Sequence, residues 1–282
     1  MPRGNSGRLP DGIDRSRVDA VQARLGTVRE RIRIAGGDPA RITIVSVTKY
    51  RSAEDVVAAI AAGITEFGEN YPAEMAAKAG AVVAMMERGG VRDSLRGAPV
   101  PGVEGLVLPP GGESGECGSD ALQPAHVGPR WHMIGTIQRR QVRRVARIVW
   151  CWQSVARLVE GEEIARHSPP GTNVLIQVNA VEMAGRNGCG MSAVEGLAVS
   201  LERLGLNVRG LMAMGAGTDV QRTRRAFSSV ASLAIRCGFP EISLGMSDDL
   251  EIAVQEGSTM VRIGTALFGE RPAIHPPESP DG

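Results

Sequence analysis

The chain has 282 residues, of which 43% are hydrophobic and only 3% aromatic, and its formal net charge is +1. This suffices for a sizeable core packed from Ala, Val, Leu and Ile, and an α/β barrel of this length is ordinary. The near-neutral balance gives no bulk argument for a nucleic-acid or membrane partner, and no apolar run approaches the roughly 18 residues a membrane helix needs. Four cysteines (Cys117, Cys151, Cys189 and Cys237) are far apart, with no zinc spacing among them. No apolar run near the start resembles a signal peptide, so reduced thiols in the cytoplasm are expected.

Residues 1–12 are polar and rich in Gly, Pro and Arg, which predicts a disordered tail. From 13 to 35 the residues Val18, Val21, Leu25, Val28 and Ile32 recur at helical spacing. "RITIVSVT" (41–48) then reads as a buried strand, and "SAEDVVAAIAAG" (52–63) as a helix capped by Ser52 and closed by Gly. This βα unit repeats. Further strands are expected at 65–70, 130–135, 147–154, 173–180, 208–215, 241–246 and 259–264, each followed by a helical pattern or a short tail. Eight alternating units predict a parallel sheet and a single (β/α)8 TIM-type barrel with an additional N-terminal helix, over residues 13–272. A doubly wound open sheet would want a GxGxxG turn after an early strand, and none is present.

Two segments stand apart. Residues 89–129 hold ten Gly and six Pro in 41 positions, which predicts a flexible insertion on the barrel face away from the active site. Residues 273–282 are expected to be a disordered tail. The basic run "RRQVRRVAR" (139–147) reads as the solvated face of a helix whose apolar stripe is Val142, Val145 and Ala146; the alternative is a binding patch.

The chain uses thirty arginines and two lysines, Lys49 and Lys78. An arginine cannot act as a nucleophile near neutral pH, whereas a partly desolvated lysine can form a Schiff base with an aldehyde. Lys49 ends the first strand, and alternation groups it with Thr43, Val45 and Val47 on one side. It is either a residue retained for its amine or a remnant of drift toward Arg. No other amine is expected at a strand end. In a barrel of this type reactive groups project from the C-terminal strand ends, and phosphate commonly binds after strands seven and eight. There Ser247, a plausible helix cap, and Gly264 with Thr265 can form a phosphate cradle, although Asp248 and Asp249 must turn outward. An amine with a phosphate cradle is the pattern pyridoxal 5′-phosphate (PLP) demands. Arg262 can complete it by facing the pyridine nitrogen, weakening the cofactor as an electron sink; the alternative is a structural salt bridge at the rim.

The stretches "VSVTKY", "EFGENY", "WHMIGTIQ", "VLIQVN", "RGLMAM" and "SLGMSDDLEIAVQEGSTMVRIGTALFG" resemble the YggS/PROSC family of PLP-binding, PLP-homeostasis proteins, which share the barrel of the alanine racemase N-terminal domain. The resemblance runs from about residue 40 to 270. It implies that Lys49 carries the Schiff base, that Asn70 lies by the cofactor, that Ser247, Gly264 and Thr265 contact the phosphate, and that Arg262 faces the ring nitrogen. Arg140 and Gln141 depart from the family pattern, as do residues 185–188 ("GRNG") and the 89–129 insertion.

The resulting expectation is a cytoplasmic, monomeric PLP carrier that buffers or delivers the cofactor in vitamin B6 homeostasis. It would meet PLP-dependent apo-enzymes transiently, bind neither nucleic acid nor membrane, hold no metal, and have no strong catalysis of its own. One alternative is a fold-type III amino-acid racemase with weak activity. That reading needs a second base opposite the lysine, and the chain has only Tyr50 and Tyr71, with no room expected for the racemase's C-terminal β domain. His132 is either a substitute base or a structural residue. A metal-dependent barrel hydrolase built on His132, Asp248 and Asp249 is the other alternative.

Overall fold

The computed structural model describes residues 14–88 and 128–270. The expectations for the tails at 1–12 and 273–282, and for all but the last two residues of 89–129, lie outside the described residues. Eight strands pair in parallel, each with its neighbour in sequence: β1 (Thr43–Val47), β2 (Glu66–Glu69), β3 (Arg130–Met133), β4 (Val149–Val155), β5 (Asn173–Val178), β6 (Asn207–Ala213), β7 (Glu241–Ser243) and β8 (Met260–Ile263). β8 closes on β1, with Thr43 opposite Met260 and Ser46 opposite Ile263. This is the expected (β/α)8 barrel.

The helices among the described residues are α1 (Arg15–Ile34), α2 (Ala53–Ala61), α3 (Pro72–Arg88), α4 (Arg139–Val145), α5 (Leu158–His167), α6 (Val194–Arg203), α7 (Val220–Arg236), α8 (Leu250–Gln255) and α9 (Thr265–Phe268). α1 starts where the Asp14 carboxylate accepts the Ser16 N–H at 2.9 Å, and it buries Val18, Val21, Leu25, Val28 and Ile32 as the spacing predicts. It packs against α2, α8 and α9. Ser52 and Asp55 cap α2 reciprocally, at 3.3 and 3.2 Å. On α4, Val142 and Val145 are buried while Arg139, Arg140, Arg143 and Arg144 are exposed, so the apolar stripe faces in and the basic run faces out.

Strand alternation separates two cores. Ile44, Phe67, Trp131 and Ile176 face outward into the layer beneath the helices, where Phe227 of α7 meets them. Val45, Cys151, Leu175, Met212 and Met260 fill a smaller cluster within the barrel. The barrel interior also holds buried polar residues: His132, Gln153, Ser243 and Arg262 are all under 5% exposed.

The seventh unit differs from expectation. β7 ends at Ser243 rather than 246, because Gly245 turns the chain at φ +85°, where a Cβ would lie 2.4 Å from Ala253 Cβ. α8 begins at Leu250, with Asp249 at its N-cap position. Ser247 is therefore not the helix cap. The Asp249 carboxylate instead turns inward, accepting the Met246 N–H at 2.6 Å, and burial raises its pKa. No described helix is long and apolar enough to cross a membrane.

Candidate functional site

The register of the closed sheet gathers the residues singled out from sequence. Val47 pairs with Gly68 of β2, and the Thr48 N–H donates to the Gly68 carbonyl at 3.0 Å. Lys49 and Asn70 each follow the Val47–Gly68 pair by two residues. On the other side, a Cβ at Gly264 would lie 3.4 Å from Val47 Cβ. Lys49, Asn70, Gly264, Thr265 and Ser247 thus share the C-terminal mouth, on the adjacent units of β7, β8, β1 and β2.

Lys49 and Asn70 are half-buried. The Asn70 side-chain oxygen is buried with no hydrogen-bond partner among the described residues, an unmet acceptor of the kind a bound donor would satisfy. Ser247 Oγ accepts the Ala266 N–H of α9 at 3.4 Å, so the loop after β7 and the turn after β8 form one surface. That loop is braced from outside: Arg31 of α1 donates to the Ser247 carbonyl at 2.8 Å and forms a bidentate pair with Glu251 at 2.6 and 2.9 Å. Thr265 is exposed at the start of α9.

Arg262 lies one layer deeper, opposite Val45, and is 4% exposed. It makes no salt bridge among the described residues. Its Nη1 donates to the Ser243 carbonyl (2.8 Å) and Oγ (2.7 Å), and its Nη2 to the Ala213 carbonyl (2.9 Å). Two of its five N–H bonds, Nε–H and one Nη2–H, meet no acceptor among the described residues. Burial lowers its pKa to about 10, against the opposing influence of Asp249. The rim salt bridge considered from sequence is not what forms.

Lys78 corrects the expectation that no second amine stands at a strand end. Buried at 6% exposure on α3, its Nζ donates to the Thr48 carbonyl at 2.6 Å, to Glu69, and to Glu74 at 2.9 Å. Glu69 also accepts from Thr48 Oγ1 at 2.7 Å, and Glu74 accepts the Tyr50 N–H. The residues on both sides of Lys49 are therefore held by one ionic cluster, and Tyr50 is kept at φ +62°, a conformation few non-glycine residues adopt. The scarcity of lysine marked Lys78 as clearly as Lys49, but no motif pointed to its partners.

His132 is inside the barrel, bonded to Glu66 at 2.7 Å and Gln153 at 2.8 Å, which is the structural reading of that residue. Among the described residues no three His, Cys, Asp or Glu side chains converge as metal ligands. The "GRNG" segment folds over the end of β5: Gln177 Nε2 donates to the Asn187 backbone carbonyl and Asn187 Nδ2 to Gln177 Oε1, both at 3.0 Å, and Arg186 Nη1 donates to the Gly215 carbonyl.

A glycine absent from the sequence reading controls Asn70. A Cβ at Gly135 would lie 2.1 Å from the Asn70 carbonyl oxygen and 2.7 Å from its Cα. Gly135→Ala must therefore displace the end of β2, and a loss of about 1–3 kcal/mol is expected in urea unfolding, as for other overpacked positions. Gly80→Ala, on the exposed face of α3 with open space at the added methyl, should instead be neutral or gain up to about 1 kcal/mol. Equal effects at the two positions would contradict this assignment.

Residues 17–272 match the family model described as alanine racemase, N-terminal domain. A relative from Escherichia coli K12 called pyridoxal phosphate homeostasis protein is 34% identical over 269 residues, covering 90% of this chain and 98% of that protein. The chain belongs to the pyridoxal phosphate homeostasis family. A family member of the same name from Pseudomonas aeruginosa is 33% identical over 251 residues, 86% of this chain and 91% of its own. Among solved structures, an unknown protein from Bifidobacterium adolescentis has a TM-score of 0.70 at 28% identity, covering 93% of this chain and all of that one. PipY of Synechococcus elongatus, solved with PLP bound, has a TM-score of 0.64 at 22% identity over 88% of this chain and all of PipY, a likeness of fold. An alanine racemase from Corynebacterium glutamicum shares the fold at a TM-score of 0.56 and 16% identity, over 90% of this chain and 62% of the racemase. Within this family framework, Arg140 is exposed on α4 and Gln141 half-buried there, whereas residues 185–188 lie against the strand ends.

Proposed function

We propose that this chain binds PLP as a Schiff base through Lys49 and serves intracellular PLP homeostasis by buffering or delivering the cofactor, without strong catalysis of its own. The observation that carries the reading is the position of Lys49 beside an unmet Asn70 acceptor, above a buried arginine with two uncommitted donors. When bound, PLP supplies an aldehyde for the amine and a ring that can accept electrons. The residues divide the binding among them. Lys49 supplies the amine, while Ser247 Oγ and the backbone N–H groups around Gly264 and Thr265 suit a phosphate. Asn70 accepts a donor near the ring, and Arg262 presents N–H groups to the ring nitrogen, which must then accept and so stays unprotonated. The inward-turned Asp249 keeps its carboxylate on the Met246 N–H rather than in the cradle.

Delivery would involve transient contact with PLP-dependent apo-enzymes in the cytoplasm, with the carrier as a monomer. The relatives named for PLP homeostasis and PipY with its bound PLP support the cofactor assignment. The test is to load the purified chain with PLP, record its visible band, reduce with borohydride and map the label by peptide mass. A pyridoxyl group on Lys49 is expected. A label on Lys78, or no band at all, would overturn the reading.

A further inference from the structure

Arg262 is the first member of a chain of hydrogen bonds that crosses the barrel interior. Its Nη1 donates to Ser243 Oγ at 2.7 Å, and that hydroxyl donates to Gln153 Oε1 at 2.8 Å. The Gln153 amide nitrogen donates to His132 Nδ1 at 2.8 Å, and His132 Nε2 meets Glu66 Oε2 at 2.7 Å. Arg130 pairs with the other Glu66 oxygen at 2.9 Å. The chain passes from β8 through β7, β4 and β3 to β2, and Ser243, Gln153 and His132 are at most 2% exposed. It ends at a cavity of about 70 Å³ in the opposite, N-terminal mouth, lined by Glu66, Arg130, His132, Asn173 and Glu241 among others.

For a neutral imidazole at His132, the direction of every link follows from the two ends. A guanidinium can only donate and a carboxylate can only accept. Between them, each hydroxyl, amide and imidazole must accept from the Arg262 side and donate toward Glu66, with the His132 proton on Nε2. Reversing one link would set two donors or two acceptors face to face, which a buried site penalises. Such a network is not required for stability, since apolar residues of similar volume commonly fill such space as well or better. The layer of Val45, Leu175 and Met212 in the same barrel is filled that way.

We propose that Ser243, Gln153 and His132 are positioning residues that, anchored by Glu66, hold the Arg262 guanidinium as a fixed donor toward the ring nitrogen of bound PLP. This rests on the PLP reading above and extends it from the cofactor mouth to the opposite end of the barrel. The chain is broken in its middle by Gln153→Met, near Arg262 by Ser243→Ala, and at its far end by Glu66→Gln, which makes the terminal acceptor able to donate. The PLP-loaded proteins are compared for visible band, PLP affinity and borohydride labelling, with Met212→Leu as an interior control outside the chain.

Lys49 should remain the labelled residue in all of them. The band should shift in the three chain variants and not in the control, and PLP affinity should weaken by about 2- to 30-fold, the range of coupling carried by such networks. The Ser243→Ala/Gln153→Met double variant should shift no further than either single one, since both interrupt one path. Should Gln153→Met fail to fold, Ser243→Ala and Glu66→Gln carry the same test. Lowered melting temperatures with unmoved band and affinity would reduce the chain to packing and overturn the inference alone. Failure of the unmodified chain to take PLP would overturn the underlying reading as well.

Discussion

Lys78→Met is expected to destabilise the folded chain by about 3–5 kcal/mol, the usual result of removing one partner from a buried ion pair. Glu69 is fully buried, and one of its oxygens already lacks a partner among the described residues. Without the ammonium, its carboxylate would face only the Thr48 hydroxyl, and Glu74 would lose its partner on the same helix. At about 2–4 °C per kcal/mol for a chain of this size, the melting temperature should fall by roughly 6–20 °C. The deficit should also depend on pH. Burial already raises the Glu69 carboxyl above its ordinary value of 4.5, against the lowering influence of Lys78; in the variant it rises further. A group with a raised pKa in the folded state favours folding most when protonated, and that contribution is lost as pH rises through the raised value. The variant should therefore lie closer to the parent at about pH 5 than at about pH 8 in urea unfolding. A pH-independent loss under 1 kcal/mol would show that the cluster is solvated rather than buried.

Lys49→Ala should reduce borohydride labelling by PLP to background and remove the visible band, while leaving some non-covalent binding through the phosphate surface. Lys78 is poorly placed to take over, because its nitrogen already donates to two carboxylates and a carbonyl inside the α3 interface. The same pair of proteins decides between carrier and racemase. Racemisation needs proton donors and acceptors on both faces of the substrate carbon. Tyr50 and Tyr71 follow Lys49 and Asn70 on the same side of the mouth, and their hydroxyls bond each other at 2.7 Å. With L-alanine in deuterated water, the parent should exchange the α-proton slowly without loss of chirality, and the variant should neither exchange nor racemise it. Rapid loss of chirality in the parent, absent from Lys49→Ala, would restore the racemase.

How much of this was legible in the sequence depends on how local each feature is. The eight strands were legible because runs such as "RITIVSVT" and "NVLIQVNA" are β-branched, short and punctuated by Gly or Pro. Lys49 was legible through its rarity and its place at a strand end. The end of β7 was misplaced because apolar character continues through Leu244 and Met246, whereas the left-handed Gly245 decides where pairing becomes irregular. The Lys78 cluster draws on the outward face of β2, a carbonyl beyond β1 and one turn of α3; only its i,i+4 partner Glu74 is local. The interior chain needs five strands to be closed into a ring before its members meet. Its trace in the sequence is a polar residue at the inward position of each of those strands, and that pattern has meaning only once the closure is known.

The brace from Arg31 to the Ser247 carbonyl has a consequence for the symmetry of the molecule. A closed ring of eight βα units offers eight loops that topology alone makes equivalent. α1 stands outside that repeat, and it fastens to only part of the ring, with its guanidinium on the loop after β7. Each βα loop could drift in sequence independently, but this one shares a bond with an element that precedes the whole barrel. The leading helix thus gives a rotationally ambiguous scaffold an orientation, marking one sector of the rim as the fixed point against which the others can vary.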